Sequence, residues 1–161
     1  AKIFNIDNQN ILGALKSFKG VEHRLELVRE IEGIKFINDS KATNVDSVVV
    51  ALKSFDQPII LILGGQDKGN DYSMIEELVT EKVKKIYAIG SSAEKVFNYF
   101  HSKVKTEIKK DFDEVINASL SEAREGDIIL LSPACASFDM FDNYEHRGKI
   151  FKEIVNSKWK N

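Results

Sequence analysis

Ile59-Ile60-Leu61-Ile62-Leu63 passes through a run of apolar residues with no polar residue between them and then breaks at Gly64-Gly65. A strand with one wet face alternates apolar and polar side chains, so an unbroken run is expected where helices cover both faces. Ile86-Tyr87-Ala88-Ile89-Gly90 repeats the plan, with a helix after Ser92, and Ile128-Ile129-Leu130-Leu131 repeats it again before Ser132-Pro133. Between these runs the period changes from strand to helix. Val45, Val48, Val49, Leu52 and Phe55 fall on one side of a helix predicted over residues 43–55, with Thr43 or Asn44 as its cap. Further helices are predicted over 113–124 and 144–155, and a short strand near Thr106-Glu107-Ile108. Buried strands alternating with helices imply a mostly parallel sheet joined by right-handed crossovers.

Upstream, Leu25-Glu26-Leu27-Val28 and Ile34-Lys35-Phe36-Ile37 flank the turn pair Glu32-Gly33, which reads as a β-hairpin adding one antiparallel strand at or near an edge. The expected fold is therefore a Rossmann-like, doubly wound α/β domain with one antiparallel edge strand and helices on both faces. Before it, Ile3, Phe4 and Ile6 form a short apolar patch, and Ile11, Leu12, Leu15 and Phe18 have helical spacing over residues 8–18, ending ahead of Gly20. Residues 1–19 are read as the stub of a preceding domain and 20–161 as the domain proper.

At 161 residues the chain fits one hydrophobic core. A net charge of −2 gives no general attraction to nucleic acid or an anionic membrane, so any anion site must be local. The single Cys135 cannot form an internal disulfide, and no apolar run approaches a membrane span. A cytoplasmic monomer is expected. His23, His101 and His146 lack metal-ligand spacing, and no metal site is expected.

Ligands in open α/β sheets bind beyond the carboxyl ends of the strands. Three polar clusters follow strands there: Asn38-Asp39-Ser40-Lys41-Ala42-Thr43-Asn44, Gly64-Gly65-Gln66-Asp67-Lys68-Gly69, and Ser132-Pro133-Ala134-Cys135-Ala136-Ser137. Together they offer the cations Lys41 and Lys68, the hydroxyls of Thr43 and Ser137, and backbone amides at Gly64, Gly65 and the helix start after Lys41. That set suits an anion bearing more than one carboxylate or phosphate. The plainer alternative is a set of ordinary loops, with Asp39 and Thr43 capping a helix and the lysines solvated; three clusters on one rim weigh against it. Cys135, among alanines, reads as structural. Arg24 is either a solvated strand-start residue or a ligand of a phosphate held by a neighbouring domain. Tyr144-Glu145-His146-Arg147 reads as the polar opening of the last helix. A receiver module would need an acidic cluster after its first strand and a phosphorylatable Asp after its third. A nicotinamide-binding domain would need a third glycine that Gly64-Gly65 lacks.

Gly20-Val21-Glu22-His23-Arg24, the string from Asn38 to Asn44, Leu63-Gly64-Gly65 with Asp67-Lys68-Gly69, and Leu131-Ser132-Pro133-Ala134-Cys135-Ala136-Ser137-Phe138-Asp139 resemble the Mur ligase family. The order continues through Phe141, Tyr144, Arg147 and Gly148, and the likeness spans about residues 19 to 155. Asp39-Ser40-Lys41-Ala42-Thr43-Asn44 and Ser132-Pro133-Ala134-Cys135-Ala136-Ser137 look particular to the branch that adds D-glutamate. The resemblance implies the C-terminal domain of a three-domain ligase, with residues 1–19 ending the central ATPase domain. It also implies ATP and Mg²⁺, the metal held mainly by that central domain, and UDP-N-acetylmuramoyl-L-alanine as acceptor. By matching position, Lys41, Thr43, Lys68, Ser137, the Phe138 backbone and Tyr144 would hold D-glutamate. His23, Arg24, Asp39 and Lys41 would contact the nucleotide, with Lys41 and Arg24 closest to the chemistry. The chain has no P-loop of its own, so alone it is expected to be inactive.

Overall fold

The computed structural model describes residues 6–17 and 20–158; Ile3, Phe4 and Phe18 lie outside them. Helix α1 (Asn8–Ser17) comes first and buries none of its residues. The hairpin follows as β1 (Glu26–Ile31) and β2 (Ile34–Asn38). Its turn residues Glu32 and Gly33 both have positive φ, 50° and 74°, the two-residue geometry whose twist matches the flanking strands. A bulge at Val28 offsets the pairing between Leu27 and Arg29. Leu25, placed in the first strand by its sequence, stays outside it because its φ is 45°.

The remaining elements are α2 (Val45–Lys53), β3 (Ile59–Gly64), a 3-10 turn (Tyr72–Ile75), α3 (Glu76–Lys82), β4 (Val83–Ile89), α4 (Ala93–Phe100), β5 (Thr106–Ile108), α5 (Phe112–Glu122), β6 (Ile128–Leu131) and α6 (Tyr144–Ser157). Asn44, not Thr43, caps α2: its Oδ1 accepts from the Ser47 amide at 2.9 Å.

The six strands lie in the order β1-β2-β6-β3-β4-β5, parallel except for the β1–β2 pair. This is the expected doubly wound sheet with its antiparallel edge strand. All six residues of β3 are buried. Ile59, Leu61 and Leu63 pack on one face with Val48 and Leu52 of α2, Val79 of α3 and Phe100 of α4. Ile60 and Ile62 pack on the other with Val115 and Ile116 of α5 and Phe151 and Val155 of α6. Each such side chain contributes about 1.5–3 kcal/mol by leaving water. Two-sided burial is the cause of the missing polar alternation.

The chain crosses from β2 to β3, travels outward through β4 and β5, and returns to lay β6 between β2 and β3. Asn38 and Ile62 both pair with Leu131, so the carboxyl ends of these three parallel strands are level. That topology places the loops after β2, β3 and β6 on one rim, at the position where strand order reverses.

Candidate functional site

The three rim loops are fastened to one another through their backbones. Gly64 N donates to Pro133 O at 2.9 Å and Gln66 N to Ala136 O at 2.9 Å, which joins the β3 loop to the β6 loop. Asn70 Nδ2 adds a bond to Ala134 O at 2.9 Å. On the other side, Asp39 N donates to Leu131 O at 2.8 Å, and Ser132 Oγ donates to Asp39 Oδ2 at 2.8 Å. Among the described residues, three of the four non-glycine residues with positive φ, His23, Leu25 and Ala134, sit in or beside these loops. Strain of this kind costs about 1–3 kcal/mol per residue and gathers where geometry is constrained for function.

These bonds correct one expectation. The amides of Gly64 and Gly65 are not free for an anion: the first is taken by Pro133 O and the second by Ser92 Oγ at 3.1 Å. The amides of Lys41, Ala42 and Thr43 are likewise taken, by His23 O, Asp39 O and Lys41 O. A loop that must be held in shape spends its donors on its neighbours, so none of these five amides is left for an anion.

The side chains are arranged accordingly. Lys41 Nζ donates to Tyr144 Oη at 2.8 Å. Among the described residues Arg24, Lys41 and Lys68 form no ion pair, and the hydroxyls of Thr43 and Ser137 make no hydrogen bond. Ser137 is nevertheless 2% exposed, while Lys68 and Phe138 are exposed. Neither Asp39 nor Thr43 caps α2; the Asp39 carboxylate instead accepts from Leu25 N and Ser132 Oγ. The neighbouring Asp67 is engaged with Lys95 at 2.7 Å, so it does not neutralise Lys68.

Asp39 is 4% exposed and accepts from Leu25 N at 3.2 Å as well as from Ser132. Burial pushes its carboxyl up to about 6 from 3.8, against the lowering influence of those two hydrogen bonds and of Arg24. It lines a cleft of about 140 Å³ together with Arg24, Lys41 and Ser47 over an apolar wall that includes Leu25 and Val50.

His23 is 5% exposed and faces inward: Asn38 Nδ2 donates to its Nδ1 at 2.9 Å, and its ring meets Tyr144 edge-on at 6.2 Å between centroids. Glycine at 148 makes room for it, because a Cβ there would lie 2.3 Å from His23 Nδ1. Glu22, His23 and Glu26 bring ligand-type atoms within 4.8 Å of one another. Lys152 Nζ already lies 2.9 Å from Glu22 Oε1 and 2.6 Å from Glu26 Oε1, so an ammonium holds the position a metal ion would need.

The structure thus brings His23, Asp39, Lys41 and Tyr144 together, with Arg24 beside Asp39, and fastens the loops of Lys68 and of Ser137 and Phe138 alongside. Two contributors went unrecognised in the sequence. Ser40 Oγ donates to Tyr144 O at 2.8 Å, and Arg147, read as part of a polar helix opening, is 1% exposed beneath the rim. The signal for Arg147 was present: it precedes Phe151 by four residues and Val155 by eight, on the buried stripe of α6. Cys135 is 1% exposed against Asn70, Tyr72 and Ser92, as a structural residue should be; burial pushes its thiol up. Among the described residues no helix is long and apolar enough to cross a membrane.

A family model described as "Mur ligase, glutamate ligase domain" matches residues 23–135. The UDP-N-acetylmuramoylalanine–D-glutamate ligase of Caldicellulosiruptor saccharolyticus is 48% identical over 155 residues, covering 95% of this chain and 34% of its own length. The ligase of the same name from Cytophaga hutchinsonii is 52% identical over 151 residues, covering 92% and 33%. The chain therefore spans about a third of the length of these relatives. The UDP-N-acetylmuramate-alanine ligase of Thermotoga maritima superposes with a TM-score of 0.68 at 15% identity over 98% of this chain and 35% of that one. A bifunctional folylpolyglutamate synthase/dihydrofolate synthase of Yersinia pestis gives 0.66 at 13% identity over 93% and 35%. At those identities the solved structures speak for the fold, whereas the family model and the curated relatives speak for descent: the chain belongs to the Mur ligase family and carries its glutamate ligase domain.

Proposed function

We propose that this chain is the C-terminal domain of a cytoplasmic, ADP-forming ligase that joins D-glutamate to UDP-N-acetylmuramoyl-L-alanine during peptidoglycan precursor synthesis. In this reading residues 1–19 end the preceding ATPase domain, and the isolated chain does not turn over. The observation that carries it is the rim: among the described residues Arg24, Lys41 and Lys68 form no ion pair and the Thr43 and Ser137 hydroxyls make no hydrogen bond, on loops tied into one edge. A dianionic amino acid needs two cations and several donors.

ATP supplies the chemistry by phosphorylating the alanyl carboxylate, a poor electrophile, so that the D-glutamate amine can attack it and release phosphate. This chain's residues bind and orient. Lys41, Thr43, Lys68, Ser137 and the Phe138 backbone hold the two carboxylates of D-glutamate, with Tyr144 against Lys41. Holding the amino acid in this way directs its amine towards the acyl group and lowers the entropy lost in reaching the transition state. Asp39 accepts from the ribose, Arg24 reaches the γ-phosphate region and His23 keeps the β2 loop in place behind them. The cleft of about 140 Å³ is smaller than the ~300 Å³ and upward of complete ligand pockets, which fits a nucleotide site shared with another domain. The Glu22–His23–Glu26 cluster does not suit Mg²⁺ because Lys152 fills it, so the metal belongs to the rest of the ligase.

The test is D-glutamate-dependent ADP release by the full-length enzyme with UDP-N-acetylmuramoyl-L-alanine. Lys68→Ala and Ser137→Ala should each raise the KM for D-glutamate more than the KM for ATP. Equal losses for both substrates would refute this division of labour, and ATP turnover by the isolated chain would refute its dependence on other domains.

A further inference from the structure

Arg147, the fourth residue of α6, is a fully buried cation, and among the described residues no carboxylate lies within ion-pair distance of it. Its guanidinium reaches two of the rim loops at once. Nε donates to Ser40 Oγ at 2.9 Å and Nη2 to Ser40 O at 2.8 Å. Nη1 donates to Cys135 O at 3.0 Å and Ala136 O at 3.3 Å. The third loop closes over the same group: a Cβ at Gly65 would come within 3.2 Å of Nη1 and 2.5 Å of Ala136 O. Ser40 immediately precedes Lys41, and Ala136 immediately precedes Ser137, so one planar fork fixes the separation of the residues on either side of the pocket.

Its acceptors are neutral carbonyls and a hydroxyl, which orient the guanidinium without cancelling its charge. The carboxylate whose charge bears on it is Asp139. Asp139 is itself occupied by the Ser91 amide at 2.7 Å. Burial lowers the guanidinium to about 10, which still leaves it charged at neutral pH. A buried positive charge without a carboxylate is costly unless something negative approaches it.

We propose that Arg147 is the positioning residue of the amino-acid pocket: it sets the spacing between the Lys41–Thr43 and Ser137 loops and leaves its charge to be answered by the dianionic ligand. This rests on the D-glutamate reading above. A lysine cannot replace it, because an ammonium lacks the fork that spans both loops.

The experiment compares steady-state kinetics of the full-length ligase with Arg147→Lys, Arg147→Met and Ser40→Ala. Arg147→Met should raise the KM for D-glutamate at least ten-fold while the KM for ATP moves less than three-fold; Arg147→Lys, with charge but no fork, should fall between. Should Arg147→Met not fold, Ser40→Ala decides, since it removes one acceptor of the fork. It should raise the D-glutamate KM about three-fold and leave the ATP KM unchanged. A D-glutamate KM unaffected in the folded variants, or one rising in step with that for ATP, overturns the role of Arg147. A wild-type enzyme that is inert towards D-glutamate overturns the underlying reading instead.

Discussion

Replacing Asp39 by Asn should stabilise the domain at neutral pH, and the gain should disappear in acid. Asp39 is buried with Oδ1 facing the Leu25 amide and Oδ2 facing the Ser132 hydroxyl. Asparagine can keep both contacts, because its carbonyl accepts from Leu25 and its amide donates to a hydroxyl that can also accept. What changes is the charge. Burial raises the native carboxyl to about 6 from 3.8, so the folded state holds its proton over a pH range in which the unfolded state has released it. A folded pKa above the unfolded one gives a stabilising contribution that is complete below pH 3.8 and lost as pH rises through about 6. The gap corresponds to about 3 kcal/mol. Urea unfolding followed by far-ultraviolet circular dichroism, on the wild-type chain and Asp39→Asn side by side from pH 3.5 to 7.5, reads the difference directly; other titrating groups cancel. The advantage of the variant should grow by about 3 kcal/mol across that range, most of it between pH 4 and 6.5. A difference that is flat with pH, or that shrinks as pH rises, would refute the placement of an ionised carboxylate in this buried position. The same substitution should weaken nucleotide binding in the full-length enzyme, which is the exchange of stability for function expected of a group kept charged at a cost.

Gly65→Ala should destabilise the domain by about 3 kcal/mol or more, since φ is 142° and the new Cβ would lie 2.5 Å from Ala136 O; chemical denaturation measures it, and a loss below about 1 kcal/mol would contradict the close approach of the β3 and β6 loops. Cys135 should react with a thiol reagent many-fold more slowly in the native protein than in urea, because it is 1% exposed and burial pushes its thiol up; equal rates would show that the β6 loop opens freely.

How far the sequence discloses this molecule depends on whether a feature is caused locally. The unbroken apolar run of β3 has a local signature of a non-local fact, burial on two faces, and so do β4 and β6. The hairpin is legible because Glu32-Gly33 is a turn on its own terms. The start of α2 moved from Thr43 to Val45 because either of two adjacent polar residues could cap it, and only the Asn44–Ser47 bond distinguishes them. The free amides expected at Gly64 and Gly65 failed for the opposite reason. Their partners, Pro133 O and Ser92 Oγ, are distant in sequence, and nothing near the glycines announces them. What placed the three clusters on one edge was the general rule for parallel sheets; what makes them adjacent is the return of β6 to a position between β2 and β3.

The buried polar residues under that edge pose a sharper question than the exposed ones above it. Asp39 and Arg147 are of opposite charge, both buried, and both held by loops flanking β6, yet they form no ion pair. Had stability alone shaped the site, pairing them would have offset the cost of burying each. Instead each is destabilised towards its neutral form, the carboxyl raised and the guanidinium lowered. Arg24, on the cleft side, is the cation whose charge bears on Asp39. Keeping the two apart leaves an acceptor facing the cleft lined by Arg24 and Lys41, and a cation beneath the loop of Ser137. On the function proposed above, a rim that takes a nucleotide on one side and a dicarboxylate on the other needs that separation, because a closed Asp39–Arg147 pair would present neither ligand with an unanswered charge.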